Sequence, residues 1–353
     1  MKSHWAMGVM MFAVAAALPS FSRSPTADAS PILPSDSGEQ SDLSIMTYNV
    51  KGLPWPVATG RTGALAEIGE RLAEMRSHGT QPHLVLLQEA FTSDAKAIGR
   101  TGGYHFTAYG PQPDAVSKSA TDPLGEPFAR NSSWLKGESE GKWLDSGLVL
   151  LSDYPIVSVK RYAFPNGACA GFDCLAAKGV LLARIRIPGV AKPLTIATTH
   201  LNSRRHAGVS HARADKAFGW QLNAATAFVD ANVSRDEPIV FGGDFNFGVA
   251  PSRLRYAVEG GEPLPGAQEG LRLAMADGLV TPDDTADARA IVARGSDRQY
   301  FRSGSATRLA VSSVSVPFGT EADGAQLSDH MGFVTEYRIS KPDSAPSIAD
   351  ASP

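Results

Sequence analysis

Cysteine is scarce in this sequence, and its scarcity limits the kinds of site that thiols can build. The 353 residues include two cysteines, Cys169 and Cys174. A zinc site needs about four ligands, and neither a CxxC pair nor a nearby histidine completes these two thiols. The residues disfavour a metal site here. They leave open a disulfide that closes a short loop, or two free and partly buried thiols.

An excess of positive charge is also absent. The 33 Lys and Arg residues are outnumbered by 36 Asp and Glu residues, which gives a formal net charge of −3. A strongly basic nucleic-acid-binding domain is therefore not indicated, although a local basic patch is compatible with this total. Hydrophobic residues make up 43% of the chain and charged residues 20%, which allows a sizeable core and argues against global disorder.

The apolar run at residues 6–18 is too short to span a membrane comfortably, since a spanning helix needs about 20 apolar residues. It follows a short basic start and precedes Ala27-Asp28-Ala29, which fits the small-x-small pattern of signal cleavage. We therefore predict a signal peptide over residues 1–29 and a secreted or periplasmic protein. Export favours a disulfide between Cys169 and Cys174, because disulfides persist in oxidising compartments.

Polar segments rich in proline and serine flank the rest of the chain. Residues 30–42 are predicted to be a linker, and residues 341–353 a mobile tail. No repeat or clear change of composition divides residues 43–340, so we predict a single domain there.

Short apolar runs bounded by turn residues alternate with helical patterns. Strands are predicted at residues 43–50, 83–90, 145–152, 155–164, 178–187, 193–201, 237–246, 298–301, 309–316 and 332–339. Helices are predicted over residues 63–77 and 212–229, where apolar residues recur at helical spacing. Long irregular insertions are predicted at residues 111–142 and about 250–295. Helices between buried strands indicate a layered α/β fold.

Polar residues follow several of the predicted strands, and they suit one chemistry. They are Asn49, Glu89, His200, Asp244 with Asn246, and Asp329-His330 before the last strand. Each residue alone is commonly a turn former or a core residue. Together they indicate a site, because strand ends are where sites assemble in such folds. Carboxylate and amide oxygens suit Mg²⁺ or Mn²⁺, and histidines transfer protons or bind phosphate oxygens. The set predicts metal-dependent phosphoryl chemistry.

The same motifs resemble the endonuclease/exonuclease/phosphatase superfamily. They occur in the family's order as TYNV at Asn49, LLQEAF at Glu89, TTHLNS at His200, GGDFNF at Asp244 and Asn246, and LSDH at Asp329 and His330. The resemblance implies an α/β fold, a four-layer sandwich in which two mixed β-sheets pack face to face with helices outside. It also implies that residues 43–340 form a catalytic domain.

The resemblance implies roles for the metal ligands and the general base. Glu89 and Asn49 would bind Mg²⁺, or Mn²⁺ as the alternative ion, with Asp329 as the third ligand. His330 would activate the attacking water, and Asp297 would hold its imidazole in one tautomer.

The resemblance also implies a catalytic group that binds the phosphate. His200, Asp244 and Asn246 would contact the phosphate oxygens and stabilise the transition state.

The loop that contains both cysteines resembles one branch of the family, the neutral sphingomyelinases. Asp173, Lys178 and Gly179 match the Asp…Lys-Gly loop of that branch. There the pairing of aspartate with lysine is linked to a switch between inactive and active arrangements. Asp173 and Lys178 are therefore predicted to bind substrate, together with Asn202. At Asn202 the chain departs from the branch, which commonly has glutamine.

The predicted function is a monomeric, exported, Mg²⁺-dependent phosphodiesterase resembling sphingomyelinase C. Its predicted substrate is sphingomyelin or a related phospholipid at a membrane surface. One alternative is an exported DNase I-like endonuclease or phosphatase, for which nucleic acid would bind a basic groove built from Arg204, Arg205, Arg294, Arg298, Arg302 and Arg308. Another is a non-catalytic binding module, which the complete set of polar residues disfavours.

Overall fold

The computed structural model describes residues 40–115, 124–258 and 263–341. Its helices are α1 (Arg61–Ser77), α2 (Ser93–Thr101), α3 (Glu126–Arg130), α4 (His211–Asn232), α5 (Pro251–Val258), α6 (Gly270–Asp277) and α7 (Thr285–Arg294). Its strands are β1 (Gln40–Gly52), β2 (Leu84–Ala90), β3 (Phe106–Tyr109), β4 (Val149–Ser152), β5 (Ile156–Ala163), β6 (Gly179–Ile185), β7 (Leu194–His200), β8 (Ile239–Asp244), β9 (Gln268–Glu269), β10 (Asp297–Arg302), β11 (Arg308–Phe318) and β12 (Gly332–Ser340).

The predicted signal peptide lies outside the described residues, as do residues 30–39 of the predicted linker and the tail beyond residue 341. Strand β1 begins at Gln40, so residues 40–42 belong to the first sheet and not to a linker. Within the described part of the chain, no helix combines the length and the apolar character needed to cross a membrane.

The strands form two sheets of six strands each, in the orders β11-β12-β1-β2-β4-β3 and β5-β6-β7-β8-β10-β9. Strand β1 pairs in parallel with β2, and β7 in parallel with β8. The other neighbouring strands pair antiparallel. Both sheets are therefore mixed, as predicted.

Alternation along the strands separates the layers, because successive side chains point to opposite faces of a sheet. Leu84 and Leu86 of β2 pack with Val240 of β8 in a buried cluster that both sheets share. Val85 and Leu87 face the other way and pack with residues of α1 and α2. A third cluster joins the second sheet to α4. The order helix, sheet, sheet, helix confirms the predicted four-layer sandwich.

Strand direction also determines where the polar residues collect. The parallel pair β1 and β2 ends in Asn49 and Glu89 at the same edge of the first sheet. In the second sheet, His200 lies opposite Asp244 in the parallel pair β7 and β8. Strand β10 runs antiparallel to β8 and begins with Asp297 opposite Asp244. The ends that carry these side chains therefore meet.

The segment at about residues 250–295 was wrongly predicted to be irregular. It contains α5, β9, α6 and α7, and the last two helices pack Leu271 and Ile291 against β11 in a buried cluster. Helices α5 and α6 have eight residues each and α7 has ten. Apolar spacing over such short helices gives little periodic signal. The described part of residues 111–142 also contains a short helix, α3.

Candidate active site

A cavity of about 290 Å³, which we call the catalytic cavity, opens where the strand ends meet. Its polar lining consists of Glu89, Asp173, Lys178, His200, Ser203, His206, Asp244 and Asn246. Its apolar lining includes Leu53, Phe91, Leu144, Phe172 and Leu175. The cavity thus combines an apolar wall with groups whose chemistry suits a phosphate and a divalent ion.

Asn49 brings two carboxylates together at the base of the site. Its Nδ2 donates to Glu89 Oε1 and to Asp244 Oδ2, each at 3.1 Å. Burial raises the pKa of Glu89, and the neighbouring Asp244 raises it further, although Asn49 and His330 act in the opposite direction. Glu89 also has a left-handed backbone with φ of 55°, which is costly for a residue other than glycine.

These residues fit the divalent ion that the family resemblance implies. The carboxylates of Glu89 and Asp244 share one amide donor, and a bound Mg²⁺ or Mn²⁺ would add positive charge beside them to that of the neighbouring Lys178 and His330. All their ligand atoms are hard oxygens. Asp329, the third predicted ligand, instead forms an ion pair with Lys51 at 3.0 Å and has a side chain that is 41% exposed. The sequence does not predict Lys51 as a site residue, because a lysine near the end of a strand is common and has no distinctive pattern.

His330 is held by the aspartate that was predicted to orient it. Its Nδ1 lies 2.7 Å from Asp297 Oδ2, and both side chains are buried. Burial lowers the pKa of His330, but the carboxylates of Asp297 and Asp244 outweigh burial and raise it to about 9. One side-chain nitrogen or oxygen atom from each of His330, Asp297 and Asp244, of the kind that can bind a metal ion, lies within 4.8 Å of the other two. The ring is therefore fixed with Nε2 directed toward Asp244, whose Oδ2 is 3.7 Å away.

Arg294, at the end of α7, contacts this same ring. Its Nη2 lies 2.7 Å from His330 Nε2, and its Nη1 donates to the backbone carbonyl of Asp329. A guanidinium only donates hydrogen bonds, so the contact requires a lone pair on Nε2 and hence a neutral ring. We therefore favour the neutral ring in this arrangement, because two N–H groups facing each other at this distance would repel. While the contact persists, Nε2 cannot take a proton from water.

His200 and Lys178 form the opposite side of the catalytic cavity. Burial lowers the pKa of His200 to about 3, and the neighbouring Lys178 ammonium contributes to the shift. His200 Nε2 lies 3.3 Å from Lys178 Nζ and 3.5 Å from Asp244 Oδ2. Its Nδ1 has no hydrogen-bond partner among the described residues. A neutral imidazole beside an ammonium suits binding of phosphate oxygens and not uptake of a proton.

Lys178 and Asp173 pair, as the resemblance to the Asp…Lys-Gly loop predicts. The Lys178 ammonium forms an ion pair with Asp173 and donates to the backbone carbonyl of Leu201 at 3.0 Å. The other oxygen of Asp173 accepts from the backbone N–H of Ser203 at 2.7 Å. The pair therefore joins the cysteine loop to the segment that follows β7, beside His200.

Asn202 lies below the cavity and not in it, which differs from its predicted contact with substrate. It is fully buried, its Oδ1 accepts from the backbone N–H of Ala170 at 2.8 Å, and its Nδ2 donates to the carbonyl of Ser203 at 2.9 Å. The amide thus holds the cysteine loop against the loop that follows β7.

Arg253 supports two loops of the site. The sequence does not predict this role, because Arg253 falls in a segment predicted to be irregular. It is fully buried, and its Nη1 donates to the backbone carbonyls of Asn202 and Asn246 at 2.8 and 2.6 Å. Its Nε donates to Asp215 at 2.7 Å. A second hydrogen bond positions Asn246, whose Nδ2 donates to the carbonyl of Leu201 at 3.1 Å.

Cys169 and Cys174 form a disulfide, with their Cα atoms 5.2 Å apart. The bridge closes the loop from Cys169 to Cys174, which contains Phe172 and Asp173 of the turn Gly171–Leu175. It therefore constrains the segment that places one partner of Lys178 and part of the apolar wall.

Comparison with known proteins supports this assignment of the fold and of the strand-end motifs. No curated protein matches the sequence. The fold is similar to that of sphingomyelinase C from Streptomyces griseocarneus, with 18% identity, a TM-score of 0.55, and coverage of 84% of this chain and 99% of that chain. It is equally similar to a mutant of beta toxin from Staphylococcus aureus with bound magnesium ions, with 19% identity, a TM-score of 0.55, and coverage of 84% and 99%.

A third similar structure is TDP2 from D. rerio, complexed with a single-strand DNA product. It has 15% identity and a TM-score of 0.55, and the match covers 84% of this chain and 99% of that chain. The sequence signature of the Endonuclease/Exonuclease/phosphatase family matches residues 46–330, which include all the strand-end motifs. The chain belongs to the Endonuclease/Exonuclease/phosphatase family.

Proposed function

We propose that the protein is an exported Mg²⁺-dependent phosphodiesterase that hydrolyses sphingomyelin or a related phospholipid into its lipid alcohol and a phosphorylated headgroup. The observation that carries this proposal is the composition of the catalytic cavity. Its lining includes both the polar residues Glu89, Lys178 and His200 and an apolar wall that includes Leu53 and Phe172. A nucleic acid has no aliphatic chain to place against such a wall, whereas a phospholipid does.

In the proposed reaction, the phosphate lies against Lys178, His200 and Asn246, whose donors stabilise the negative charge that grows on its oxygens. His330 Nε2 takes a proton from the attacking water once Arg294 has moved away, and Asp297 holds the ring. The water oxygen bonds to phosphorus as the bond from phosphorus to the lipid oxygen breaks. The lipid oxygen takes up a proton from solvent water and leaves as the lipid alcohol, and His330 returns the proton it accepted to solvent. A divalent ion at Glu89 would supply positive charge that neutralises the phosphate.

Exposed aromatic residues around the cavity support action at a membrane surface. Trp55, Trp134 and Trp143 have exposed fractions of 80%, 65% and 66%. Trp55 and Trp143 neighbour lining residues in sequence, and Trp134 begins a short turn whose Lys136 ammonium lies over the Phe172 ring. Tryptophan side chains favour the boundary between water and lipid. The Cys169–Cys174 disulfide supports export, because such bonds persist outside the cytoplasm.

The function is tested by incubating purified protein with Mg²⁺ and, in parallel, sphingomyelin vesicles, lysophospholipid and plasmid DNA. We expect EDTA-sensitive release of phosphorylated headgroup from a lipid. Rapid DNA nicking without lipid turnover would replace the lipid proposal with a nuclease, and the absence of EDTA-sensitive turnover of any phosphoester would refute the proposal that the protein is an enzyme.

In the same assay, Trp55→Ala should slow hydrolysis of lipid in vesicles more than hydrolysis of a water-soluble short-chain lipid.

Replacing Lys178 by methionine should lower kcat on lipid by roughly 100-fold, because the substitution removes a charged donor to the transition state while keeping an aliphatic chain in its place. The matched control is Lys136→Met, which removes an ammonium outside the polar lining of the cavity. Steady-state kinetics with a thermal melt separates lost chemistry from lost folding. If a folded Lys178→Met protein retains the parent kcat, Lys178 has no part in the reaction.

A further inference from the structure

A second cavity, of about 590 Å³, adjoins the catalytic cavity. We call it the arginine cavity, because Arg204, Arg205 and Arg294 line it. The two cavities have three lining residues in common, Ser203, His206 and Asn246. A phosphodiester held at Asn246 would therefore have access to both.

Two of these arginines have no carboxylate partner among the described residues. Arg205 is exposed and forms no ion pair within residues 40–115, 124–258 and 263–341. Arg294 is exposed, and within the described residues its guanidinium contacts the Asp329 carbonyl and the His330 ring. The positive charge of both guanidinium groups is therefore available to an anion that enters the cavity.

The third arginine is only partly neutralised. Arg204 Nε lies 3.1 Å from Asp215, but the same carboxylate also binds the buried Arg253 at 2.7 Å. The carboxylate that lines the cavity, Asp329, is engaged by Lys51 at 3.0 Å. The arginine cavity is therefore positively charged overall, although the whole chain is slightly acidic.

Such a lining is unsuited to a choline headgroup, so among the proposed substrates it favours a related phospholipid over sphingomyelin. A quaternary ammonium is recognised by open aromatic faces and by unpaired carboxylates. The aromatic residue in this lining, Phe247, is 1% exposed, with the Arg298 guanidinium over its ring. Of the other three arginines predicted for a basic groove, Arg298 is itself buried and paired with Glu269.

We propose that the arginine cavity binds an anionic group carried by the headgroup of the phospholipid substrate, beyond the phosphodiester that is cleaved. This inference rests on the proposed function for the lipid part of the substrate. The lipid branch of the diester lies along the apolar wall, and the headgroup branch passes Asn246 and enters the arginine cavity. Arginine suits this role, because its planar fork binds a phosphate or carboxylate through two parallel hydrogen bonds.

Binding there is coupled to the reaction through Arg294. An anion in the cavity draws the Arg294 guanidinium into its own hydrogen bonds and away from His330 Nε2, which lies 2.7 Å from Nη2 in the structure. The nitrogen that takes the proton from water becomes free only when the guanidinium leaves. A substrate with an anionic headgroup thereby gains both binding and access to the base.

The kinetic test compares phosphatidylinositol 4-phosphate with phosphatidylinositol, which differ by one phosphate, in mixed vesicles with Mg²⁺. We expect the parent protein to have a kcat/KM at least about tenfold higher for the phosphorylated lipid, because a charge-assisted pair contributes about one such factor. Arg205→Ala and Arg294→Ala should each reduce this ratio, whereas Arg289→Ala, on the exposed side of α7, should not. A parent ratio near one, or a ratio unchanged in both cavity variants, overturns the proposal.

A binding measurement separates this inference from the proposed function. Inositol 1,4-bisphosphate is titrated calorimetrically into the protein in EDTA, where no turnover occurs. Arg205→Ala and Arg294→Ala should weaken binding at least about tenfold and Arg289→Ala should not. Equal binding by all four proteins overturns the anion site whether or not lipids are hydrolysed. If a single-stranded oligonucleotide is cleaved and the cavity variants reduce that cleavage instead, the anion is a nucleotide phosphate and the headgroup assignment is wrong.

Discussion

Replacing His330 by alanine should lower kcat by about 10³- to 10⁴-fold, which is the contribution expected of a positioned general base. The structure supports this magnitude because His330 is buried, is held at Nδ1 by Asp297 at 2.7 Å, and presents Nε2 toward the phosphate-binding side of the site. The measurement is single-turnover hydrolysis of the best lipid substrate under saturating Mg²⁺, with circular dichroism to verify folding.

Two further variants decide how His330 acts. Asp297→Asn keeps the shape of the partner but removes the carboxylate that fixes the tautomer, so it should also lower kcat strongly. His78→Ala removes an exposed histidine at the end of α1 and should leave kcat at the parent value. A folded His330→Ala protein with more than about a tenth of the parent kcat is incompatible with a general base at this position.

Replacing Glu89 by glutamine should produce two opposite effects. The variant should lose Mg²⁺-dependent turnover, and its affinity for Mg²⁺ should fall by at least about 100-fold, since even indirect support of a metal ligand contributes 10- to 100-fold. The metal-free protein, in contrast, should become more stable by roughly 1–2 kcal/mol, which corresponds to a few degrees in Tm. The reason is that the substitution removes a buried negative charge that lies close to Asp244.

The direction of this stability change follows from the pKa of Glu89. Burial raises that pKa in the folded protein above its unfolded value, so ionising the carboxyl costs stability. The cost is absent below the unfolded pKa and develops as the pH rises through the folded pKa. The parent protein in EDTA should therefore lose more stability than Glu89→Gln as the pH rises above about 4, the usual pKa of an unfolded glutamate.

Thermal melts in EDTA and in Mg²⁺ measure both effects of Glu89→Gln without any substrate. Mg²⁺ should raise the Tm of the parent protein and of Glu70→Gln, which removes an exposed carboxylate from α1, but not that of Glu89→Gln. An equal rise in Tm for all three proteins would mean that Glu89 does not hold the ion.

Much of the fold could be predicted because its strands are short, apolar and bounded by turn residues. The ten predicted strands all occur, and so do the helices α1 and α4. The short helices of residues 250–295 could not be predicted, since eight to ten residues offer too few turns for a periodic pattern. Helices α6 and α7 become stable by packing on β11, and α5 packs against the cluster of α4, so tertiary contacts and not local propensity hold them.

The residues of the candidate site also fall into those that the sequence predicts and those that it does not. Residues in strand-end motifs, such as Glu89, His200 and Asp244, could be proposed from the sequence, because strand ends are where such sites form. Asn202 belongs to the same motifs, yet its amide is directed at Ala170 and Ser203. Arg253 and Lys51 could not be identified, because an ion pair between distant segments leaves no local pattern.

The sequence by itself determined the family, the layer order and the types of side chain available for phosphoryl chemistry, because motif order and alternation are local properties of the chain. Only the tertiary structure decided which charges remain uncompensated. Arg294 and Arg298 are four positions apart, but one reaches His330 in an open cavity and the other is buried against Glu269. Such differences depend on which segments meet in space, and they decide the charge that a substrate headgroup encounters.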